Sequence, residues 1–111
     1  MKKAELRQLV PKARDLAGML KSLAHETRLL AVCHIGAGEV SVQDLEALIG
    51  STQSNLSQHL ARLKASGILR SRREGKQIFY GMGSEEVYRL ILAMKAIYCP
   101  EASGDPARRR K

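Results

Sequence analysis

Between Ala65 and Leu69 the hydrophobic period of this chain changes from about 3.6 residues to 2, and that switch limits the fold more than any other feature. Before it, Leu56, Leu60 and Leu63 recur at helical spacing. After it, Leu69 to Arg73 and Gln77 to Met82 read as two strands around Glu74-Gly75-Lys76, a hairpin with a basic tip. Upstream, Leu16, Leu20 and Leu23, with Ala13 and Ala17 beside them, predict a first helix. Pro11 places its start near Val10, because proline fits a first turn and disrupts an interior. A second helix runs from about Glu26 to Ile35 and stops at Gly36 and Gly38. Ser41-Val42-Gln43-Asp44 resembles a capping box and opens a third helix, Val42 to Ile49, which Gly50 ends. Ser51 or Thr52 caps a fourth, which runs to Ala65 and closes at Ser66-Gly67. Ser84 caps the last helix, with Glu85 and Glu86 in its first turn. Its stripe of Val87, Leu90/Ile91, Met94 and Ile97/Tyr98 suits either the domain's own core or a partner helix.

The expected fold is therefore mainly α with a small β-hairpin: a winged helix-turn-helix of order α-α-α-α-β-β-α, whose second turn helix enters a major groove while the wing reaches the backbone. Residues 1–9 read as an N-terminal extension, 10–99 as the domain and 100–111 as a disordered basic tail. A chain of 111 residues makes one domain that needs no structural metal or disulfide. No apolar run exceeds five residues, the length of Leu29 to Cys33, far short of a bilayer span, and Glu5, Arg7 and Gln8 interrupt any signal block. A cytoplasmic protein with no membrane partner is expected.

Charge narrows the function. Nineteen basic against eleven acidic residues give +8, and between Gly50 and Tyr80 six basic residues face one acid, Glu74. Such a balance fits a polyanionic partner, since each neutralised phosphate releases a counterion; a solvated basic face is the plainer reading. On a helical wheel of the fourth helix, Leu56, Leu60 and Leu63 point inward, Ser54, Gln58, Ala61 and Arg62 lie opposite, and Asn55 and Ser57 flank them. Short hydroxyls, one amide and one guanidinium suit base edges and phosphates. The DNA-binding candidates are Gln53, Ser54, Ser57, Gln58, His59 and Arg62 on this helix, with Arg73 and Lys76 at the wing. For His59, at the edge of the apolar face, packing or a backbone hydrogen bond is favoured over base contact. One Phe and three Tyr provide no stacking platform, so duplex DNA fits better than single strands. Three scattered histidines (His25, His34, His59), no glycine-rich phosphate loop and no paired acids leave nothing to assemble into an enzyme.

Leu20-Lys21-Ser22-Leu23-Ala24-His25-Glu26-Thr27-Arg28-Leu29 resembles the signature joining the first two helices of the ArsR/SmtB family of bacterial repressors. Ser51 to Leu63, followed by Gly67-Ile68, resembles that family's recognition helix. The resemblance spans about Leu16 to Tyr98. It implies a homodimer joined through the first and last helices on a near-palindromic operator.

The resemblance also frames the question of what is sensed. Where one family metal site has cysteines, aligned on Glu39 to Leu45, this chain has Ser41 and Gln43, neither a soft-metal ligand. The other common site needs histidine on the last helix, and Ser84 to Tyr98 has none. Cys33 and Cys99 remain. They are either buried small hydrophobes or a switchable dithiol, since a constitutive disulfide is disfavoured in the cytosol. Cys33, Cys99 and the ending Ile97-Tyr98-Cys99-Pro100 resemble the SqrR/BigR-type branch, which implies a sensor of persulfides and related reactive sulfur species. In that branch the two thiols become bridged by a disulfide or polysulfide, low-molecular-weight persulfides act as inducer, and no cofactor is needed. Two alternatives stay open. One is a metal- or haem-responsive regulator using the cysteines as ligands; the other is a constitutive DNA-binding anti-repressor with inert thiols.

Overall fold

The computed structural model describes residues 1–50 and 53–100, and for residues 53 and 54 the backbone alone. The expected cap at Ser51 or Thr52 and the basic residues beyond position 100 lie outside the described residues. The elements are α1 (Lys3–Leu9), a 3-10 turn (Val10–Lys12), α2 (Ala13–Leu23), α3 (Glu26–Ile35), β1 (Glu39–Ser41), α4 (Val42–Ile49), α5 (Gln53–Ala65), β2 (Leu69–Glu74), β3 (Gln77–Met82) and α6 (Glu85–Tyr98). This is a winged helix-turn-helix: α4 and α5 form the turn pair and β2-β3 the wing.

Two features differ from the expectation. The first is at the N-terminus, where Lys3–Leu9 is already helical and the chain does not wait for Val10. Pro11 does not prevent this, because it sits in the first positions of a 3-10 turn, where its missing N–H costs no hydrogen bond. No residue of α1 is buried. The second is a third strand. β1 pairs antiparallel with β3, giving the order β1-β3-β2 with Glu39 opposite Gly81 and Arg70 opposite Gly81 on the other side. The wing is therefore one edge of a three-stranded sheet.

The core lies where α3, α5, the sheet and α6 meet. Leu45, Leu56, Leu60 and Leu63 are fully buried, as are Val32 and Val87, with Ile35, Ile68, Leu69 and Ile91 beside them. Burying a leucine side chain stabilises by about 1.5–3 kcal/mol, so α5 is held mainly by its apolar face. Ser41 ends β1 and accepts a hydrogen bond from the Asp44 N–H at 3.1 Å, which caps α4. Gly50 closes α4 in the left-handed conformation at φ 75°, which a side chain would oppose. Ser84 accepts from the Val87 N–H at 3.2 Å and caps α6.

The stripe on α6 divides. Val87 and Ile91 enter the core, whereas Leu90, Ile97 and Tyr98 stay exposed. On α2 only Leu23 is buried, and Leu16 and Leu20 face outward. Among the described residues, no helix is long and apolar enough to cross a membrane.

Candidate functional site

α5 meets its wheel. With Leu56, Leu60 and Leu63 inward, Asn55, Ser57, Gln58, Ala61 and Arg62 are exposed along the outer face. The side chains of Gln53 and Ser54, also expected there, lie outside the described residues. The packing of α5 on α4 and the sheet brings Ser57 and Lys76 to one cleft of about 110 Å³, which Ser41, Gln43 and Gln77 also line. Gln77 donates to the Gln43 side chain at 3.3 Å across it. Gln43 and Gln77 were not among the expected residues, because only the fold puts the start of α4 beside the turn of the wing. The wing turns through Gly75, at φ 62°, with Glu74 paired to Gln77, so Lys76 stands exposed at the tip.

The basic residues here are not equivalent. Arg70 and Arg72 hydrogen-bond the two oxygens of Glu39 at 2.8 and 2.7 Å, and Arg72 also reaches Glu74 at 2.8 Å. Hydrogen bonds from Arg70 and then Arg72 hold the Glu39 carboxyl below its ordinary range. Arg70 lies across β3 at Gly81, where a β-carbon would come within 2.9 Å of its guanidinium. Arg72 also sits over the Phe79 ring, 4.6 Å from its centre. Arg62, Lys64, Arg73 and Lys76 make no ion pair among the described residues.

His59 packs, as favoured, but its hydrogen-bond partner is a side chain and not the backbone. Its Nδ1 accepts a hydrogen bond from Arg28 Nε at 2.9 Å, and its ring lies 4.1 Å from that of His25. Arg28 also donates through a terminal nitrogen to the Ser22 carbonyl at 3.2 Å. His25 caps α3 by accepting from the Thr27 N–H at 3.1 Å. The His25-Glu26-Thr27-Arg28 stretch thus ties the α2–α3 corner to α5. Partners 31 residues apart carry no local periodicity, so this clamp could not be read from spacing.

The thiols meet elsewhere. Cys33 is half-buried late in α3, and Cys99 is exposed at the end of α6. Both line one groove of about 950 Å³ between these helices, with Leu29, Leu30, Met94 and Lys95. Burial raises the Cys33 thiol, the Lys95 ammonium opposes that rise, and Cys99 adds to it. Among the described residues no group of three or more His, Cys, Asp or Glu side chains could hold a metal ion.

A sequence profile described as the MarR family matches residues 22–77, from the end of α2 through the wing turn. The chain belongs to this family. Its relatives among known proteins include the biofilm growth-associated repressor of Agrobacterium fabrum, 46% identical over 88 residues, 79% of this chain and 75% of that protein. Among solved structures, the transcriptional repressor BigR from Xylella fastidiosa is 39% identical with a TM-score of 0.77, covering 89% of this chain and 98% of that one. Reduced HlyU from Vibrio cholerae is 37% identical with a TM-score of 0.74, covering 86% and 97%. This MarR-family chain is thus a winged-helix transcriptional regulator of the BigR/HlyU type. The ArsR/SmtB resemblance rests on Leu20 to Leu29 and on Ser51 to Leu63, stretches that lie largely within the matched region.

Proposed function

We propose that this regulator is a homodimeric repressor that binds near-palindromic duplex operator DNA and releases it when Cys33 and Cys99 become bridged on exposure to persulfides, as in the SqrR/BigR-type branch of the ArsR/SmtB family. The observation that carries this reading is the shared groove: α3 and α6 bring both thiols to one apolar wall. Kinship with a transcriptional repressor, BigR, and with a regulator solved as reduced HlyU supports it. The outer face of α5 and Lys76 at the wing supply the contacts to duplex DNA, with Ser57, Gln58 and Arg62 toward the groove and Arg73 and Lys76 toward phosphate. Leu16 and Leu20 on α2 and Leu90 and Ile97 on α6 are the apolar surface left for a second copy.

The chemistry closes in two steps. The exposed Cys99 thiol takes a sulfur atom from a hydropersulfide RSSH, forming Cys99–S–SH and releasing RSH. The Cys33 thiolate then attacks the inner sulfur, forming the Cys33–Cys99 disulfide and expelling HS⁻. A second persulfide before closure leaves a trisulfide. A bridge between α3 and α6 ties the reading-head scaffold to the dimerisation helix. It thereby changes the separation of two α5 helices that must fit successive major grooves about 34 Å apart. A coupling of about 3 kcal/mol weakens binding roughly 100-fold. A second reading, a constitutive binder with inert thiols, draws on the burial that raises Cys33.

The deciding experiment measures binding to the DNA upstream of the protein's own gene in reduced form, after glutathione persulfide and after peroxide. Release by persulfide in the wild type, absent in Cys33→Ser and in Cys99→Ser, is the expected result. Release that persists in either variant overturns the two-thiol bridge. Equal binding in every state returns the question to inert thiols, or to a metal or haem.

A further inference from the structure

We propose that Arg28 is a positioning residue for the reading helix: through His59 it ties α5 to the α2–α3 corner, and a proton on His59 releases that tie and lowers sequence discrimination on DNA. This inference rests on the DNA-binding reading of α5 given above.

The geometry fixes the protonation state. A guanidinium is charged throughout the accessible pH range and can only donate. Arg28 Nε at 2.9 Å therefore requires a lone pair on His59 Nδ1, which is the neutral ring with its proton on Nε2. Protonating Nδ1 sets two N–H groups and two positive charges against each other at that distance. Among the described residues, no carboxylate compensates. The groups that act on His59 are Arg28 from α3, His25 from the α2–α3 corner and Arg62 one turn along α5, and none is a carboxylate. Partial burial and then His25, Arg28 and Arg62 all hold the ring below the ordinary histidine value. The clamp is whole above that ordinary value and is lost as pH falls through the lowered one.

The position of the clamp decides its effect. His59 stands between Gln58 and Arg62 on the reading face and Leu56, Leu60 and Leu63 on the core face. The leucines fix which face of α5 turns inward, but apolar contact is non-directional and leaves small rotations about the helix axis to polar contacts. A hydrogen bond from a charged donor that is also held on the Ser22 carbonyl restricts that rotation. Base-edge hydrogen bonds tolerate little misplacement, whereas phosphate contacts tolerate more. Acidification adds a positive charge and loosens register together. Binding to any duplex is then kept or strengthened, while preference for the operator falls.

The test follows the ratio of affinities for an operator duplex and a scrambled duplex, by fluorescence anisotropy, from about pH 7.5 to about pH 4.5. The expected wild-type ratio falls about tenfold over that range, the size of losing one charge-assisted hydrogen bond. His59→Asn places an amide oxygen near the Nδ1 position and cannot titrate, so its ratio at the acid end stands about tenfold above that of wild type. Arg28→Lys keeps the charge but loses the fork, so its ratio is low and flat across the range. Far-UV circular dichroism confirms that both variants are folded. A wild-type ratio independent of pH, or a pH dependence retained in His59→Asn, overturns the proposal. No operator preference at any pH overturns the DNA-binding reading and this inference with it.

Discussion

Lys76→Ala separates cations that meet phosphate from cations that the fold already occupies. Six basic residues lie between Gly50 and Tyr80, but Glu39 engages Arg70 and Arg72 at 2.8 and 2.7 Å. That leaves Arg62, Lys64, Arg73 and Lys76 in each protomer. If all four meet phosphate, a dimer neutralises about eight, and log K falls against log salt with a slope near −7. A rise from about 50 to about 200 mM salt then weakens binding about 10,000-fold. Lys76→Ala removes one contact per protomer, which makes the slope shallower by about 1.8 and reduces the same loss to about 1,000-fold. The weakening at low salt is the same for operator and scrambled duplexes, because phosphate carries no sequence. Anisotropy titrations at four salt concentrations give the slopes, with Arg72→Ala as comparator. That variant changes the slope much less, since its guanidinium is held between Glu39 and Glu74. An unchanged slope in Lys76→Ala, an equal change in Arg72→Ala, or a defect confined to the operator would refute the argument.

Three further outcomes are expected. Gly83→Ala puts a β-carbon 2.9 Å from the Gly67 carbonyl oxygen and 3.0 Å from the Leu69 carbonyl carbon, so backbone must move. A loss of about 1–3 kcal/mol in thermal or urea unfolding is expected, and an unchanged midpoint refutes the close approach. Because burial raises the Cys33 thiol, alkylation by iodoacetamide at pH 7 followed by mass spectrometry labels exposed Cys99 first. Cys33 catches up only as alkaline pH forms its thiolate; faster labelling of Cys33 at pH 7 contradicts the burial. Ser41→Ala removes the α4 cap and costs about 0.5–2 kcal/mol, measured by urea denaturation, with no change expected if the cap contributes nothing.

The period switch near Gly67 and the leucines of α5 made the helix-turn-helix and the wing legible, because periodicity is a local property that burial obeys. Gly50, Ser41 and Ser84 marked helix ends for the same reason. β1 was not legible: Glu39-Val40-Ser41 is too short for alternation to register, and its pairing partner lies about forty residues away. α1 was missed because proline read as a start signal is equally at home in a 3-10 turn. At the candidate site, exposure of Ser57, Gln58 and Arg62 followed from the wheel. The Arg28–His59 bond and the Glu39–Arg70–Arg72 cluster join side chains more than thirty residues apart and leave no trace in spacing.

β1 also decides how the molecule can yield under load. A wing made only of β2 and β3 would be a free cantilever, able to swing along a DNA backbone while the helices stayed in place. With β3 stitched to a strand that runs directly into α4, wing and turn pair translate as one lever. A torque applied through α3 or α6 then reaches both DNA-facing ends at once. Under the proposed function, release is then a single loss of fit rather than a succession of separate detachments.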